Sequence, residues 1–141
     1  EVMSEIHREA KMLSDQHVFR LEPAQNMLIC ADKDMIKQLM RILLDNAIKF
    51  AHVGGTLYLA IWKQGGKAYV CVADEGEQIP AEDLPFIFDR FHKSDRSRSM
   101  DKTGVGLGLY LVKTIINSHD EDIAVRSENG VTEFVFTLPL A

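Results

Sequence analysis

The sequence has little of several features that mark particular classes of protein. It has two cysteines, Cys30 and Cys71, among 141 residues, and both lie inside apolar stretches. Cysteines placed in this way are typical of small buried side chains in a reducing compartment and argue against a disulfide framework or a metal pair. The chain also lacks a signal-peptide pattern and an apolar run of about 18 residues. We therefore expect a cytosolic setting and no membrane-spanning helix in this chain.

Several functional motifs are absent as well. No stretch fits the P-loop, and the glycine-rich stretch reads G-x-G-x-G, unlike the dinucleotide fingerprint. The five histidines lack metal-ligand spacing, and neither a G-x-S-x-G elbow nor the H-R-D and D-F-G motifs of protein kinases occur. The net charge of -5 and the pI near 5.5 argue against a dedicated nucleic-acid binder. Any chemistry therefore needs another type of site.

Hydrophobic periodicity predicts two helices. Apolar residues repeat at helical spacing from Ile36 to Ala47, and either Asp32 or Asp34 stands where an N-cap is expected. We therefore predict a helix over 33–50. A second apolar series predicts a helix from about 105 to 118.

The remaining apolar stretches predict strands. They lie at 17–21, 26–30, 56–62, 67–74, 122–127 and 132–138. Turns are expected at 64–66 and at Asn129-Gly130, which would make two hairpins. With 46% hydrophobic residues, the chain can form one domain with a sizeable core. Strands before, between and after helices predict an α/β two-layer sandwich with a mixed sheet.

Three glycines, Gly104, Gly106 and Gly108, directly precede the second predicted helix. Glycine costs a regular element roughly 0.5–1 kcal/mol relative to alanine, so the group indicates a sharp turn or a close contact. A helix N-terminus carries unpaired N–H groups and partial positive charge, which favours phosphate. A tight turn into a core helix would use the same residues, so both interpretations stay open here.

Two further polar positions have both a functional and a structural interpretation. Asn46 and Lys49 share one face of the first predicted helix, where an amide oxygen could ligate Mg²⁺ and an ammonium could meet phosphate. The same face could simply be solvated. Asp74 ends a buried strand, where a carboxylate could accept from the adenine amine and repel the O6 atom of guanine. It could equally form a local turn.

A polar loop with several cationic residues occupies positions 92–104. Phe86, Phe88 and Phe91 precede it, and aromatic residues at such spacing usually anchor a core. A loop fixed at its root by these rings and cationic beyond them could form a lid over a polyphosphate.

The order of these motifs resembles the catalytic ATP-binding domain of sensor histidine kinases, in sequence and in spacing. The stretches similar to the N, G1, F and G2 boxes of that family are "RILLDNAIKF" (41–50), "DEGEQI" (74–79), "FIFDRF" (86–91) and "TGVGLGL" (103–109). The terminal "SENGVTEFVFTLP" is similar to the closing strands of the family. The resemblance covers nearly the whole chain and implies the Bergerat ATP-binding fold, in which a mixed sheet is backed by helices and ATP lies between the helices and a lid.

The resemblance also implies a base pocket. By motif position, Asp74 would accept a hydrogen bond from the adenine amine. Gly76 and Ile79 would shape the pocket, and Thr132 matches a threonine at its floor.

At the phosphate end, Asn46 would ligate Mg²⁺, and Asp45 could assist it. Lys49 and Phe50 would line the phosphate and ribose region. Lys93 matches a basic position that can approach the γ-phosphate, so the implied catalytic group is Asp45, Asn46 and Lys93. The lid and the start of the phosphate-binding helix would supply Lys102, Gly104, Val105, Gly106, Leu107, Gly108 and Leu109.

The chain departs from the family pattern at four places. Ile42 stands where the first asparagine of the N box is usual, and it cannot bind a metal. Gln78 and Thr103 each replace a glycine, and Gln78 could narrow the pocket. His119-Asp120 lacks the glycines that usually follow.

The implied function is transfer of the γ-phosphoryl group of Mg-ATP to a protein histidine in a two-component system. "HREAK" at 7–11 does not match the acceptor context of the family, and the chain begins with Glu1, so we expect the acceptor histidine on an upstream dimerisation domain. Residues 1–16 would then be a helical lead-in and 17–141 the catalytic domain. The expected whole is a membrane-anchored homodimer that acts on a response regulator and binds no nucleic acid.

Two rival functions remain for the same fold. One is a non-catalytic module that senses nucleotide and regulates a partner through its lid. The other is an ATPase of the gyrase or chaperone type, for which Asp45 would have to activate water.

Overall fold

The computed structural model describes residues 31–89 and 108–140 with their side chains and 18–21 as backbone. The strands are β1 (Val18–Leu21), β2 (Thr56–Gln64), β3 (Lys67–Glu75), β4 (Ile123–Glu128) and β5 (Val131–Pro139). The helices are α1 (Lys33–Phe50) and α2 (Gly108–Ser118), and a short 3₁₀ turn spans Leu84–Phe86. The strand predicted at 26–30, the lead-in at 1–16 and the cationic loop lie outside the described residues.

The five strands form one mixed sheet in the order β1-β2-β3-β5-β4. β1 runs parallel to β2, whereas β2, β3, β5 and β4 pair antiparallel. β3 is therefore the central strand, and its end lies beside β5 and one strand from β4. This arrangement confirms the predicted α/β sandwich with a mixed sheet.

Helix α1 begins at Lys33, directly after its N-cap residue Asp32. The Oδ1 atom of Asp32 accepts hydrogen bonds from the backbone N–H groups of Asp34 (3.0 Å) and Met35 (3.1 Å), so Asp32 is the N-cap. Such a cap contributes typically about 1 kcal/mol. Most of the stripe predicted from its periodicity is buried, namely Leu39, Met40, Leu43 and Ala47, whereas Ile36 is partly buried. Leu44 and Phe50 are buried as well.

Both helices cover the same face of the sheet and form the main core with it. The buried members from α2 are Val112, Ile115 and Ile116, and those from β3 and β5 include Val70, Val72, Phe134 and Phe136. On the opposite face, Ala60, Cys71 and Ala73 form a smaller buried cluster. β3 is therefore buried on both faces, as predicted, and burial together with Glu133 raises the pKa of the Cys71 thiol to about 11.

The two predicted hairpin turns are confirmed. Gly65 and Gly66 connect β2 to β3 with φ of 59° and 79°, and Asn129 and Gly130 connect β4 to β5 with φ of 54° and 76°. Two successive positive φ values are the requirement of a type I′ turn, which glycine and asparagine meet most readily.

His119 and Asp120 follow α2 at the place where the sequence resemblance implies glycines. Asp120 takes a left-handed conformation with φ of 57°, which aspartate tolerates better than most residues. The Nε2 atom of His119 accepts a hydrogen bond from the backbone N–H of Asp32 (3.3 Å), and its Nδ1 atom lies 2.8 Å from the Ile115 carbonyl oxygen. His119 thereby joins the end of α2 to the start of α1. Among the helices described, none has the length and apolar character needed to cross a membrane.

Candidate nucleotide-binding site

Three polar side chains lie in a row across the sheet where the apolar core ends. Asp74 on β3 pairs in register with Thr132 on β5, and Thr132 pairs with Ser127 on β4. Their exposed fractions are 2%, 1% and 7%, respectively. Because register partners point to the same side of a sheet, all three face the helical layer. These three residues, here called the polar row, therefore follow the buried apolar residues on the core-facing side of their strands.

A short hydrogen bond joins the two hydroxyls of the row. The Oγ atom of Ser127 lies 2.6 Å from the Oγ1 atom of Thr132, and either hydroxyl can be the donor. The Oδ2 atom of Asp74 is buried without a hydrogen bond within the described parts of the chain. Burying a polar atom without a hydrogen bond costs free energy, so the Asp74 carboxyl lowers the stability of the fold at this position.

The loop that follows β3 is held from three sides. The N–H of Gly76 donates to the Gly130 carbonyl (2.9 Å), and that of Glu77 donates to the Phe50 carbonyl (3.2 Å). The N–H of Ile79 donates to the Oγ atom of Ser127 (2.8 Å), and the Ile79 side chain is buried. The loop is thus fixed to the end of α1, to the β4–β5 turn and to the polar row.

Gly76 is required by a close approach of two backbone segments. A Cβ atom at this position would meet the carbonyl oxygen of Phe50 and would lie 2.7 Å from the Cα atom of Ala51. Backbone atoms cannot rotate out of the way as a side chain can. A glycine here allows the loop to lie directly on the C-terminal end of α1.

The end of α1 that holds this loop also carries the polar side chains predicted to bind phosphate and metal. Asn46 is partly buried one turn before the end of the helix, and Asp45 and Lys49 are exposed beside it. Although Asp45 is exposed, partial desolvation of its carboxyl raises its pKa, while Arg41 and Lys49 oppose that rise. The ring of Phe50 is buried, and its carbonyl group holds the loop. The predicted pairing of Asn46 with Lys49 on one helical face is consistent with these positions.

No ready-made metal cluster occurs among residues 31–89 and 108–140, which contain no group of three or more His, Cys, Asp or Glu side chains able to hold an ion. A divalent cation at Asn46 would therefore take most of its ligands from a bound phosphate and water. That ligand set suits Mg²⁺, which usually keeps few protein ligands.

The start of α2 faces the middle of α1. A Cβ atom at Gly108 would lie 3.3 Å from the Cγ2 atom of Ile42. Ile42 and Leu109 are both partly buried and pack against the core. Ile42 therefore fills space between the helices with an apolar group. The remaining predicted phosphate contacts lie outside the described residues; they are Lys93, Lys102, Gly104, Val105, Gly106 and Leu107.

The sequence-based prediction missed one member of the site, Ser127. The signal was available in the hairpin pattern, since a two-residue turn at Asn129-Gly130 places Ser127 directly opposite Thr132. The contact of Ser127 with Ile79 could not be read in this way, because the two residues are 48 positions apart.

Comparison with known proteins identifies the family of this fold and site. Residues 31–141 match the family described as histidine kinase-, DNA gyrase B-, and HSP90-like ATPase. The chain belongs to this family. Among curated relatives of this ATPase domain, the sensor histidine kinase WalK of Bacillus subtilis (strain 168) is 34% identical over 97% of the chain. The sensor histidine kinase YkoH of the same strain is 38% identical over 75% of the chain.

Solved structures similar to this ATPase domain are also histidine kinases. The catalytic domain of histidine kinase ThkA superposes with a TM-score of 0.80 and 27% identity, covering 97% of this chain and 93% of that one. The mycobacterial sensor histidine kinase MprB superposes with a TM-score of 0.88 at 23% identity, which supports the fold. The chain spans 23% of the length of WalK and also of YkoH, so it corresponds to one part of such proteins.

Proposed function

We propose that this chain is the catalytic ATP-binding domain of a two-component sensor histidine kinase, transferring the γ-phosphoryl group of ATP to a histidine on a separate dimerisation domain. The observation that carries the proposal is the placement of a buried acid, Asp74, and a buried hydroxyl, Thr132, beneath a loop that leaves no space for a side chain at position 76. The family match and the sensor-kinase relatives support it.

The base would be recognised at the polar row. A carboxylate accepts hydrogen bonds, so Asp74 complements the exocyclic amine of adenine and opposes the O6 acceptor of guanine. The buried position of Asp74 strengthens this discrimination, because electrostatic interactions are less screened away from water. Gly76 and Ile79 would form the wall of the pocket above the row.

The phosphates would extend from this pocket along α1 towards the start of α2. Asn46 and Lys49 follow Ile42, which faces Gly108 at the start of α2, by four and seven residues, so helical spacing would put them on that side. A neutral amide oxygen and an ammonium there would fit a magnesium nucleotide. When bound, Mg²⁺ would neutralise charge on the transferring phosphate. Lys93 and the glycine-rich stretch at 103–109 would complete the phosphate contacts from the lid.

The protein would contribute positioning and charge stabilisation, since phosphoryl transfer requires little covalent chemistry from the enzyme. The acceptor histidine would come from an upstream dimerisation domain, with residues 1–16 as the lead-in and 17–141 as the catalytic domain. In the whole protein we propose a membrane-anchored homodimer whose phosphoryl group passes to a response regulator.

Calorimetric titration tests the nucleotide site. The chain is titrated with ADP and with a nonhydrolysable ATP analogue, with and without Mg²⁺, and with GTP as the control for the base. We expect adenine-selective binding, and we expect Asp74→Asn to weaken it by about 10-fold to 100-fold, the range for a hydrogen bond to a charged group. Asp34→Asn, at the other end of α1, is the matched control. Unchanged affinity in Asp74→Asn would remove the adenine assignment.

Reconstitution tests the transferase activity. A dimerisation domain from a sensor kinase relative is supplied together with labelled ATP, and phosphohistidine formation is measured. Binding without any transfer would favour the nucleotide-sensing module over the kinase. Sustained hydrolysis without an acceptor would instead favour an ATPase of the gyrase or chaperone type.

A further inference from the structure

We propose that Ser127 is a positioning residue of the base pocket, which fixes both the orientation of the Thr132 hydroxyl and the position of the loop at Ile79, and so contributes to selection of adenine. This inference rests on the proposed nucleotide-binding function and extends it to a residue that contacts no nucleotide itself. The geometry that carries it is the pair of hydrogen bonds made by one buried oxygen: 2.8 Å from Ile79 N and 2.6 Å from Thr132 Oγ1.

The direction of these hydrogen bonds decides which hydroxyl proton is available to a ligand. An amide N–H can only donate, so the Ser127 oxygen accepts from Ile79. Between Ser127 and Thr132 either hydroxyl can be the donor, and the hydroxyl that accepts keeps its own proton for a further acceptor. Ser127 is assigned as the donor, because the remaining proton is then on Thr132, the register partner of Asp74, and can be donated to a bound base.

This direction determines what Thr132 can offer a ligand. One acceptor position of the Thr132 oxygen is occupied by Ser127, so the hydroxyl meets a bound base chiefly as a donor. The amide that donates to Ser127 also polarises its hydroxyl and strengthens the second hydrogen bond. Adenine has an acceptor at ring position N1 next to its amine, whereas guanine and hypoxanthine have an N–H there next to O6. A donor at Thr132 beside the acceptor Asp74 thus matches adenine.

Ser127 also couples the floor of the pocket to its wall. Thr132 belongs to the sheet, and Ile79 belongs to the loop that follows β3. Both are buried, with exposed fractions of 1% and 5%. Removing the oxygen that joins them releases the hydroxyl and the loop together, so the pocket would lose shape and polarity at once.

The test is a double-mutant cycle on nucleotide selectivity. ADP and inosine diphosphate are titrated into the wild-type chain, Ser127→Ala, Thr132→Val and the double variant, and the ratio of the two dissociation constants is compared. We expect Ser127→Ala to reduce the preference for ADP by about fivefold to tenfold, as for loss of one buried hydrogen bond. We expect Ser127→Ala to reduce the preference less in the Thr132→Val background than in the wild-type chain, because the part of its effect that acts through Thr132 is already lost and only release of the loop at Ile79 remains.

Two further variants separate positioning from general structure. Ser127→Thr retains the hydroxyl and should keep most of the ADP preference. Ser118→Ala, which removes a hydroxyl that donates to the Ile115 carbonyl at the far end of α2, should leave the ratio unchanged. If Ser127→Ala does not fold, Ser127→Cys retains the size of the side chain with a weaker donor, and its ratio decides the question in the same way.

The outcomes are distinguishable. A wild-type chain without preference for ADP would overturn the adenine site itself and, with it, the role of Ser127. A wild-type preference that survives in a folded Ser127→Ala variant, or that falls additively in the double variant, would overturn the inference and leave the nucleotide site standing.

Discussion

Among the glycines that the structure describes, Gly76 is the one at which an added Cβ atom would approach other atoms most closely. The Cβ atom of Gly76→Ala would meet the Phe50 carbonyl oxygen and approach the Ala51 Cα atom to 2.7 Å. Since both obstacles are backbone, the loop or the end of α1 must move. The hydrogen bonds from Gly76 to Gly130 and from Glu77 to Phe50 would be strained by that movement.

The cost can be estimated from the geometry. Overpacking a well-packed site costs typically about 1–3 kcal/mol, and an obstacle made of backbone places Gly76→Ala near the upper end. An unfolding entropy of about 2.1 cal/mol/K per residue gives roughly 0.3 kcal/mol/K for a chain of 141 residues. A destabilisation of about 3 kcal/mol would therefore lower the unfolding temperature by about 10 °C.

Gly66 supplies the matched control. It has φ of 79°, but a Cβ atom added there would meet no other atom within 4 Å, so Gly66→Ala bears only the left-handed backbone penalty of about 1–2 kcal/mol. Thermal unfolding and ADP titration of both variants make the comparison. We expect Gly76→Ala to be the less stable of the two and to bind ADP more weakly. Equal unfolding temperatures, with unchanged ADP affinity, would refute the close-approach explanation.

Two further predictions concern charge and metal. The Lys67 ammonium and the Thr137 hydroxyl lower the pKa of Glu121; its contribution to stability is therefore present above the unfolded pKa of about 4.5 and is lost as the pH falls towards the lower native pKa. Glu121→Gln should cost about 1 kcal/mol at neutral pH, and thermal unfolding should show the difference from wild type shrinking below about pH 4.5; a constant difference would contradict this. Asn46→Ala should remove the strengthening of nucleotide binding by Mg²⁺ in calorimetry, whereas the exposed Asn117→Ala should retain it; a metal effect that survives in Asn46→Ala would count against the assigned ligand.

Local patterns predicted most of the elements correctly. The helix over 33–50 was predicted with its cap at Asp32 or Asp34, and the structure has it at Lys33–Phe50 with Asp32 as the cap. Its apolar period and its capping aspartate are both local signals. The two hairpin turns followed from glycine and asparagine, which tolerate positive φ. The strands differ from their predicted bounds by one or two residues, which is the usual uncertainty at element ends.

Individual residues of the site could be predicted only where a sequence motif identified them. Asp74 was chosen from its place at the end of a buried strand and from the family pattern, whereas Thr132 was chosen from the family pattern alone. Their pairing across the sheet is consistent with a shared pocket. Their roles, and those of Asn46 and Lys49, stay predictions. Ser127 was not chosen, because an alternating strand pattern shows which side chains point inward but not which polar ones touch.

The sequence by itself determined the periods, caps and turns of this domain, since these depend on residues within a few positions of one another. Only the tertiary structure shows why position 76 must be glycine and that Ser127 forms hydrogen bonds with Ile79 and Thr132. The loop after β3 meets the end of α1 and a serine 48 residues from Ile79, and such contacts arise when distant segments pack and must satisfy one another's buried polar groups. No local pattern contains that information, because the partner atoms belong to other elements.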